Sequence, residues 1–310
     1  MKSNLFFVTL ALAFVACDKK DGDNFSENKP LEVGGKIHKI HYEDIDDEFS
    51  GVKILSYEAN KVILVNEEKS KEGNRKVVEE LIFNEKGKPV SATVKENNLL
   101  SETYQATYNS NGDMIKLVEE EYSNSGILEY VKTTNYTYKE GKVSEQESVT
   151  TSKKVGGGNE KPYKKKIYFK FLENQRIEYS VEINANTGEY SPINELSHRS
   201  FQYDEKGNLI EELRVSGGEL LGKTVYEYDD QINPLFSMNI TFDNKGFGDA
   251  FKPTGIPVSK NNRIKSTSIG GSAPEMHESK FEYDAKGRPV KNEGYENANL
   301  TGRATFSYYE

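Results

Sequence analysis

From about residue 34 onward the chain alternates apolar and polar positions with a period of two. Lys166-Ile-Tyr-Phe-Lys-Phe171, Leu209-Ile-Glu-Glu-Leu-Arg-Val215 and Pro89-Val-Ser-Ala-Thr-Val94 show the pattern, and it predicts β-strands with one buried face. Paired apolar or aromatic residues separated by one position recur, each followed by a polar turn. They include Leu81-Ile-Phe83 before Asn84-Glu-Lys-Gly87, Ala106-Thr-Tyr108 before Asn109-Ser-Asn-Gly112, and Tyr136-Thr-Tyr138 before Lys139-Glu-Gly141. The series continues with Phe201-Gln-Tyr203 before Asp204-Glu-Lys-Gly207, Tyr226-Glu-Tyr228 before Asp229, Phe281-Glu-Tyr283 before Asp284-Ala-Lys-Gly287, and Phe306-Ser-Tyr308. Second aromatics are 25 residues apart from Phe83 to Tyr108, 30 from Tyr108 to Tyr138, and 25 from Tyr203 to Tyr228 and from Tyr283 to Tyr308.

Each period reads as one hairpin. Residues i and i+2 share a strand face, so the two rings pack side by side while the residue between them points outward. Asn or Asp opens the turn by accepting hydrogen bonds from the backbone just ahead, and Gly supplies the positive φ that closes it. Asn84, Gly87, Asn109, Gly112, Asp204, Gly207, Asp284 and Gly287 are therefore structural turn positions, and Tyr108, Tyr138, Tyr203, Tyr228, Tyr283 and Tyr308 structural ring positions. The expected fold is all-β, an antiparallel meander of hairpins forming a long, twisted or curled sheet over residues 34–310. An insertion near residues 235–273, with Phe236, Phe242, Phe247 and Phe251, interrupts the period and suits a cap over an open sheet end.

Gly222-Lys-Thr-Val-Tyr-Glu-Tyr-Asp229 and Phe281-Glu-Tyr-Asp-Ala-Lys-Gly-Arg288 resemble the YD repeats of the Rhs family. The period here exceeds the roughly 20 residues of those repeats, so toxin delivery is not carried over from them. The repeats are more similar to those of uncharacterised Bacteroidota lipoproteins.

At the N-terminus, Lys2 precedes the apolar run Leu5–Ala16, which ends at Cys17, the single cysteine. A helix of this run rises about 18 Å, short of the roughly 30 Å hydrocarbon core, so residues 1–16 read as a cleaved signal segment. Phe14-Val-Ala-Cys17 resembles a bacterial lipobox, with Phe14 in place of the usual aliphatic residue. The resemblance implies cleavage between Ala16 and Cys17 and acylation of Cys17, with the lipid bilayer as a partner. Residues 17–33 are then a lipidated, flexible polar tether. The implied location is extracytoplasmic, on the outer membrane and open to surface exposure, with the leaflet left open by Asp18.

The chain carries 41 basic and 50 acidic residues, a net charge of −9, which disfavours nucleic acid as a partner. Lys161–Phe171 is basic and aromatic, yet its period of two makes it a loop and a strand. With Cys17 lipidated, no thiol remains for a disulfide or thiolate site, and no cofactor motif is present. His38 and His41 near Glu43, Asp44, Asp46, Asp47 and Glu48 point to opposite strand faces, which argues against a shared metal. Glu119, Glu120, Glu121, Glu211 and Glu212 supply carboxylates without placing a pair across a cleft, and no catalytic residue is assigned.

The first expectation is a non-enzymatic, membrane-anchored scaffold or binding module for an unknown protein or glycan. The alternatives are a glycan-binding accessory of polysaccharide uptake, marked by an exposed tyrosine row, and a carboxylate-dependent glycoside hydrolase.

Overall fold

The computed structural model describes residues 36–46, 48–153, 162–183, 187–234, 253, 259–270 and 273–310. In chain order the strands are β1 Ile37–Asp44, β2 Phe49–Tyr57, β3 Lys61–Ser70, β4 Gly73–Phe83, β5 Pro89–Glu96, β6 Leu99–Tyr108, β7 Met114–Tyr122, β8 Leu128–Lys139 and β9 Lys142–Ser152. They continue with β10 Tyr163–Leu172, β11 Gln175–Glu182, β12 His198–Tyr203, β13 Leu209–Ser216, β14 Glu219–Ile232, β15 Asn261–Ile269, β16 Glu275–Tyr283, β17 Pro289–Glu296 and β18 Asn299–Tyr308. Cys17 and Ala16, the tether before residue 36 and the phenylalanines of the insertion lie outside the described residues.

Each strand pairs antiparallel with the next. β18 also returns to β1, with Phe306 opposite Ile40 and Ala304 opposite Tyr42, while the other edge of β1 pairs with β2. The 18-stranded sheet is therefore a closed barrel. This corrects the expected open, long, twisted or curled sheet. A meander leaves unpaired N–H and C=O groups along its first and last strands, and joining those strands satisfies both edges. The residues that close the ring, Lys39 to Asp44, carry no repeat motif to announce the pairing. A second difference concerns the insertion: β15 lies inside the range 235–273 and is a wall strand between β14 and β16.

The barrel has two distinct ends. At the near end the chain enters at Ile37 and leaves at Tyr308, and here lie the turns opened by Asn84, Asn109, Asp204 and Asp284. Asp204 Oδ1 accepts the amides of Lys206 and Asn208 at 2.9 and 2.8 Å, Asp284 Oδ1 those of Lys286 and Arg288 at 2.9 Å, and Asn84 and Asn109 act similarly. Gly87, Gly112, Gly207 and Gly287 have φ between 68° and 83°, a region a β-carbon penalises. At the far end, tight turns pass through Asn97-Asn98, Gly217-Gly218 and Asn297-Ala298, all at positive φ, matching the right-handed twist of the flanking strands.

Tyrosines clamp the near end from inside. The hydroxyls of Tyr108, Tyr228 and Tyr308 donate at 2.7 Å to the carbonyls of Pro89, Leu209 and Pro289, each 19 residues earlier at the start of the neighbouring strand. Tyr138 reaches the carbonyl of Met114 and Tyr57 that of Ile37 in the same way. Tyr283 departs from this pattern and donates to Asp229. The Tyr203 hydroxyl is buried without a hydrogen-bond partner among the described residues, and burial pushes its pKa up to about 12.

The inward faces of β18 and β1–β9 merge into one hydrophobic cluster containing Ile37, Leu55, Leu81 and Leu117, all fully buried, with Tyr104 and Tyr136. Burial of this kind contributes roughly 1.5–3 kcal/mol per large side chain. Phe201, Leu209 and Val181 are buried on the other half of the ring, outside that cluster.

Candidate functional site

Because the ladder registers are continuous, facing can be followed strand by strand from the core. Leu117 is inward, so its partner Thr134 is inward, and Ser148 after it. The same path carries Gln146 to Ile167, Phe169 to Glu178, Glu178 to Arg199 and Arg199 to Arg214. These residues line the interior.

The outer wall is polar and laced with ion pairs between neighbouring strands. Lys76 meets Glu67 at 2.8 Å, Lys223 meets Glu211 at 2.5 Å, Lys291 meets Glu282 at 2.9 Å and Glu293 at 3.2 Å, and Arg303 meets Glu43 at 3.2 Å. Outward positions between them include Ser101, Thr103, Gln105 and Thr107 on β6 and Thr133, Asn135 and Thr137 on β8. A lysine or arginine on a lipid-facing barrel wall costs about 2–4 kcal/mol at the bilayer midplane. Hydrocarbon would penalise this surface repeatedly, and water does not.

One outward patch is aromatic. Tyr168 and Tyr179 are directly opposite on β10 and β11, and the Tyr179 ring lies 5.9 Å from His198, tilted by 54°. Lys166 sits over Tyr168 and Tyr190 while pairing with Glu145 at 2.8 Å, and the Tyr190 hydroxyl donates to Glu147 at 2.6 Å. Tyr190 comes after β11 and bridges Ile183, and Val181 and Ser200 are buried at outward positions of β11 and β12. The rings are half-buried and not coplanar.

Toward the far end the interior becomes ionic. On β3–β5 Arg75 binds Glu68 at 3.2 Å and Glu96 at 2.7 Å, and on β7–β8 Lys132 binds Glu119 at 2.6 Å. The densest group lies on β11–β14 and runs from Arg176, close to the near end, to Arg214, close to the far end. Arg176, 6% exposed, pairs with Glu178 at 3.0 Å. The Phe201 ring is flanked by two guanidinium groups, Arg176 at 4.7 Å and Arg199 at 5.1 Å from its centroid. Glu212 Oε1 accepts from Arg199 at 2.9 Å and Arg214 at 3.4 Å, and the Tyr226 hydroxyl reaches its other oxygen at 3.5 Å. Burial holds the Glu178 carboxyl above the usual carboxylate range, against the opposing pull of Arg176 and Arg199.

Of the carboxylates singled out in sequence, Glu119 and Glu212 face inward, the first held by Lys132 and the second by Arg199 and Arg214. Glu120 faces outward to Thr103 and Tyr122, and Glu211 outward to Lys223. His41 is exposed on the outer face of β1, while the His38 ring lies 4.6 Å from that of Tyr309. Among the described residues no group of three or more His, Asp or Glu is arranged to hold a metal ion. Sequence reasoning missed the Arg176–Glu178–Arg199–Glu212–Arg214 group. Its signal was charge at alternating positions, as at Arg199 on β12 two residues before Phe201 and four before Tyr203.

No protein family matches the chain, and no curated protein matches it. Solved structures do. A porin-like protein from Bacteroides uniformis is 12% identical, covering 89% of this chain and 98% of its own, with a TM-score of 0.44. A porin-like protein from Bacteroides vulgatus is 16% identical, covering 69% and 94%, with a TM-score of 0.37. The toxin complex TcdB2-TccC3 without its hypervariable C-terminal region is 12% identical over 84% of this chain and 16% of its own, at 0.24. Similarity this distant leaves function to the residues of the chain itself.

Proposed function

We propose that this protein is a non-enzymatic binding module whose barrel stands in water, held at a membrane by an acylated Cys17. The supporting observation is the outer wall. Cross-strand ion pairs sit where a membrane barrel presents an apolar band about 25 Å tall. The signal-like segment and single cysteine supply the attachment that such a wall does not. The first described strand, β1, begins at the near end, so the ionic interior of the far end lies away from the point where the chain enters the barrel. The ligand class is a glycan or a protein, without cofactor, metal or nucleic acid.

The outward Tyr168–Tyr179–His198 patch favours the reading as a glycan-binding accessory of polysaccharide uptake, since amphipathic rings of this kind pack against sugars. Its tilted rings and the Lys166–Glu145 pair beside it make it a smaller platform than a flat aromatic row. The hydrolase alternative draws less support, because Glu212 is engaged by two arginines and is unsuited to free proton transfer.

Cys17→Ser separates the readings of location in one experiment. The variant loses acylation and moves from the membrane to the soluble or uncleaved fraction. A folded variant that stays in the bilayer and needs detergent to leave it would show that the barrel wall itself is embedded.

A further inference from the structure

Arg199 and Arg214 are directly opposite one another on the inward faces of β12 and β13. Like charges in cross-strand register repel and destabilise a sheet unless an anion lies between them. Glu212 meets both arginines through the same oxygen, Oε1. The two side chains nevertheless stay 46% and 67% exposed, and among the described residues the only ion-pair contact of Arg214 runs through Nε at 3.4 Å. Much of their donor capacity therefore faces the interior.

Room exists beside them. The next inward position in the same row is Gly222, directly opposite Arg214. A β-carbon there would meet only the Ile269 carbonyl, at 3.6 Å. Beyond it the inward wall carries hydroxyls: Thr224 lies opposite Glu212, its hydroxyl 3.1 Å from that of Ser268, and Ser266 lies opposite Tyr226, whose ring has the Arg263 guanidinium 5.6 Å from its centroid. The Phe201 ring lies 5.1 Å from the Arg199 guanidinium and restrains it from one side, which lowers the ordering cost of a bidentate contact.

We propose that Arg199 and Arg214 bind the carboxylate of an acidic saccharide, with Thr224, Tyr226 and Ser268 facing the sugar hydroxyls. The assignment rests on the binding-module reading and names its ligand class. A planar carboxylate matches two guanidinium forks, and the adjacent hydroxyls match a polyol. In a chain of net charge −9, diffuse electrostatics repel such a ligand, so binding requires a local cationic site.

The test is titration calorimetry on the full-length acylated protein in detergent. The probes are an oligomer of glucuronate, the corresponding neutral glucose oligomer and inorganic phosphate. The acidic oligomer binds, the neutral one does not, and Arg199→Gln and Arg214→Gln each weaken binding at least tenfold. Arg75→Gln, on β4 and away from β12 and β13 in the ring, leaves it unchanged, and circular dichroism confirms that the variants are folded. Equal affinity for the neutral oligomer, absence of acidic-oligomer binding at millimolar concentration, or binding that survives the double variant would overturn the proposal. Phosphate binding as tight as the oligomer would overturn the saccharide assignment. None of these outcomes touches membrane attachment, which Cys17→Ser reads separately.

Discussion

Gly51→Ala tests whether the interior of the barrel is packed as closely as its geometry implies. In the middle of a strand, replacing Gly by Ala is ordinarily stabilising by about 0.5–1 kcal/mol, because the unfolded chain loses freedom. Gly51 is different, since it lies inward on β2 between Tyr42 on β1 and Glu68 on β3. The Tyr42 ring crosses over it, and its hydroxyl donates toward Asn66 Oδ1 at 2.8 Å and Glu68 Oε1 at 3.0 Å. A β-carbon at Gly51 would sit 2.5 Å from Tyr42 Cζ and 3.0 Å from the Glu67 carbonyl. The ring must leave, and a hydrogen bond to a charged acceptor, about 1.5–3 kcal/mol, goes with it. After the strand-propensity gain is subtracted, the net loss is about 0.5–2.5 kcal/mol. Urea unfolding of the purified protein, followed by circular dichroism, reads it as a lower midpoint at unchanged slope. Adding Tyr42→Ala relieves the clash, so a double-mutant cycle should show strong coupling. A higher midpoint for Gly51→Ala alone would refute the packing argument, because only the clash reverses the usual sign.

Three further outcomes are expected. Tyr308→Phe removes the donor to Pro289 and lowers stability by about 0.5–1.5 kcal/mol; Tyr108→Phe does the same, and an unchanged midpoint in both would mean the clamps contribute nothing. Gly207→Val costs about 1–3 kcal/mol from backbone strain alone, because φ is 83° and the space around it is empty, whereas Gly207→Asn should cost less; equal effects would contradict the turn conformation. Glu178 has a raised pKa, so the native state holds its proton more tightly than the unfolded chain, and this group's contribution falls as pH rises from the ordinary carboxylate value through the raised one. Glu178→Gln should remove that component from the pH dependence of the urea midpoint, and an identical profile in the variant would rule Glu178 out as its source.

Much of the local structure was legible because it depends on near neighbours. The period of two, the Asx turn acceptors and the glycines at positive φ are satisfied within a few residues, so the turns at Asp204–Gly207 and Asp284–Gly287 can be read from four positions each. The tyrosine spacing was visible, but the role of the hydroxyl was not. That role depends on Pro89 or Pro289 starting the neighbouring strand, a matter of register. β1 was legible as a strand but not as the one that closes the ring, because it carries no repeat motif, and β15 was hidden in what resembled an insertion.

The sequence by itself determined that the chain is built of antiparallel hairpins with one aromatic face, and it supplied Cys17 as the expected point of lipid attachment. Only the tertiary structure decided that eighteen strands close on themselves, because closure is set by pairing between Ile37–Asp44 and Asn299–Tyr308, more than 250 residues apart. Closure then assigns every alternating position an inside and an outside. Period-two patterning states that two faces differ, but which face meets water is settled by the ring. That is why Lys223 and Glu211 are outer-wall ion partners, while Arg199, Glu212 and Arg214 face the enclosed interior.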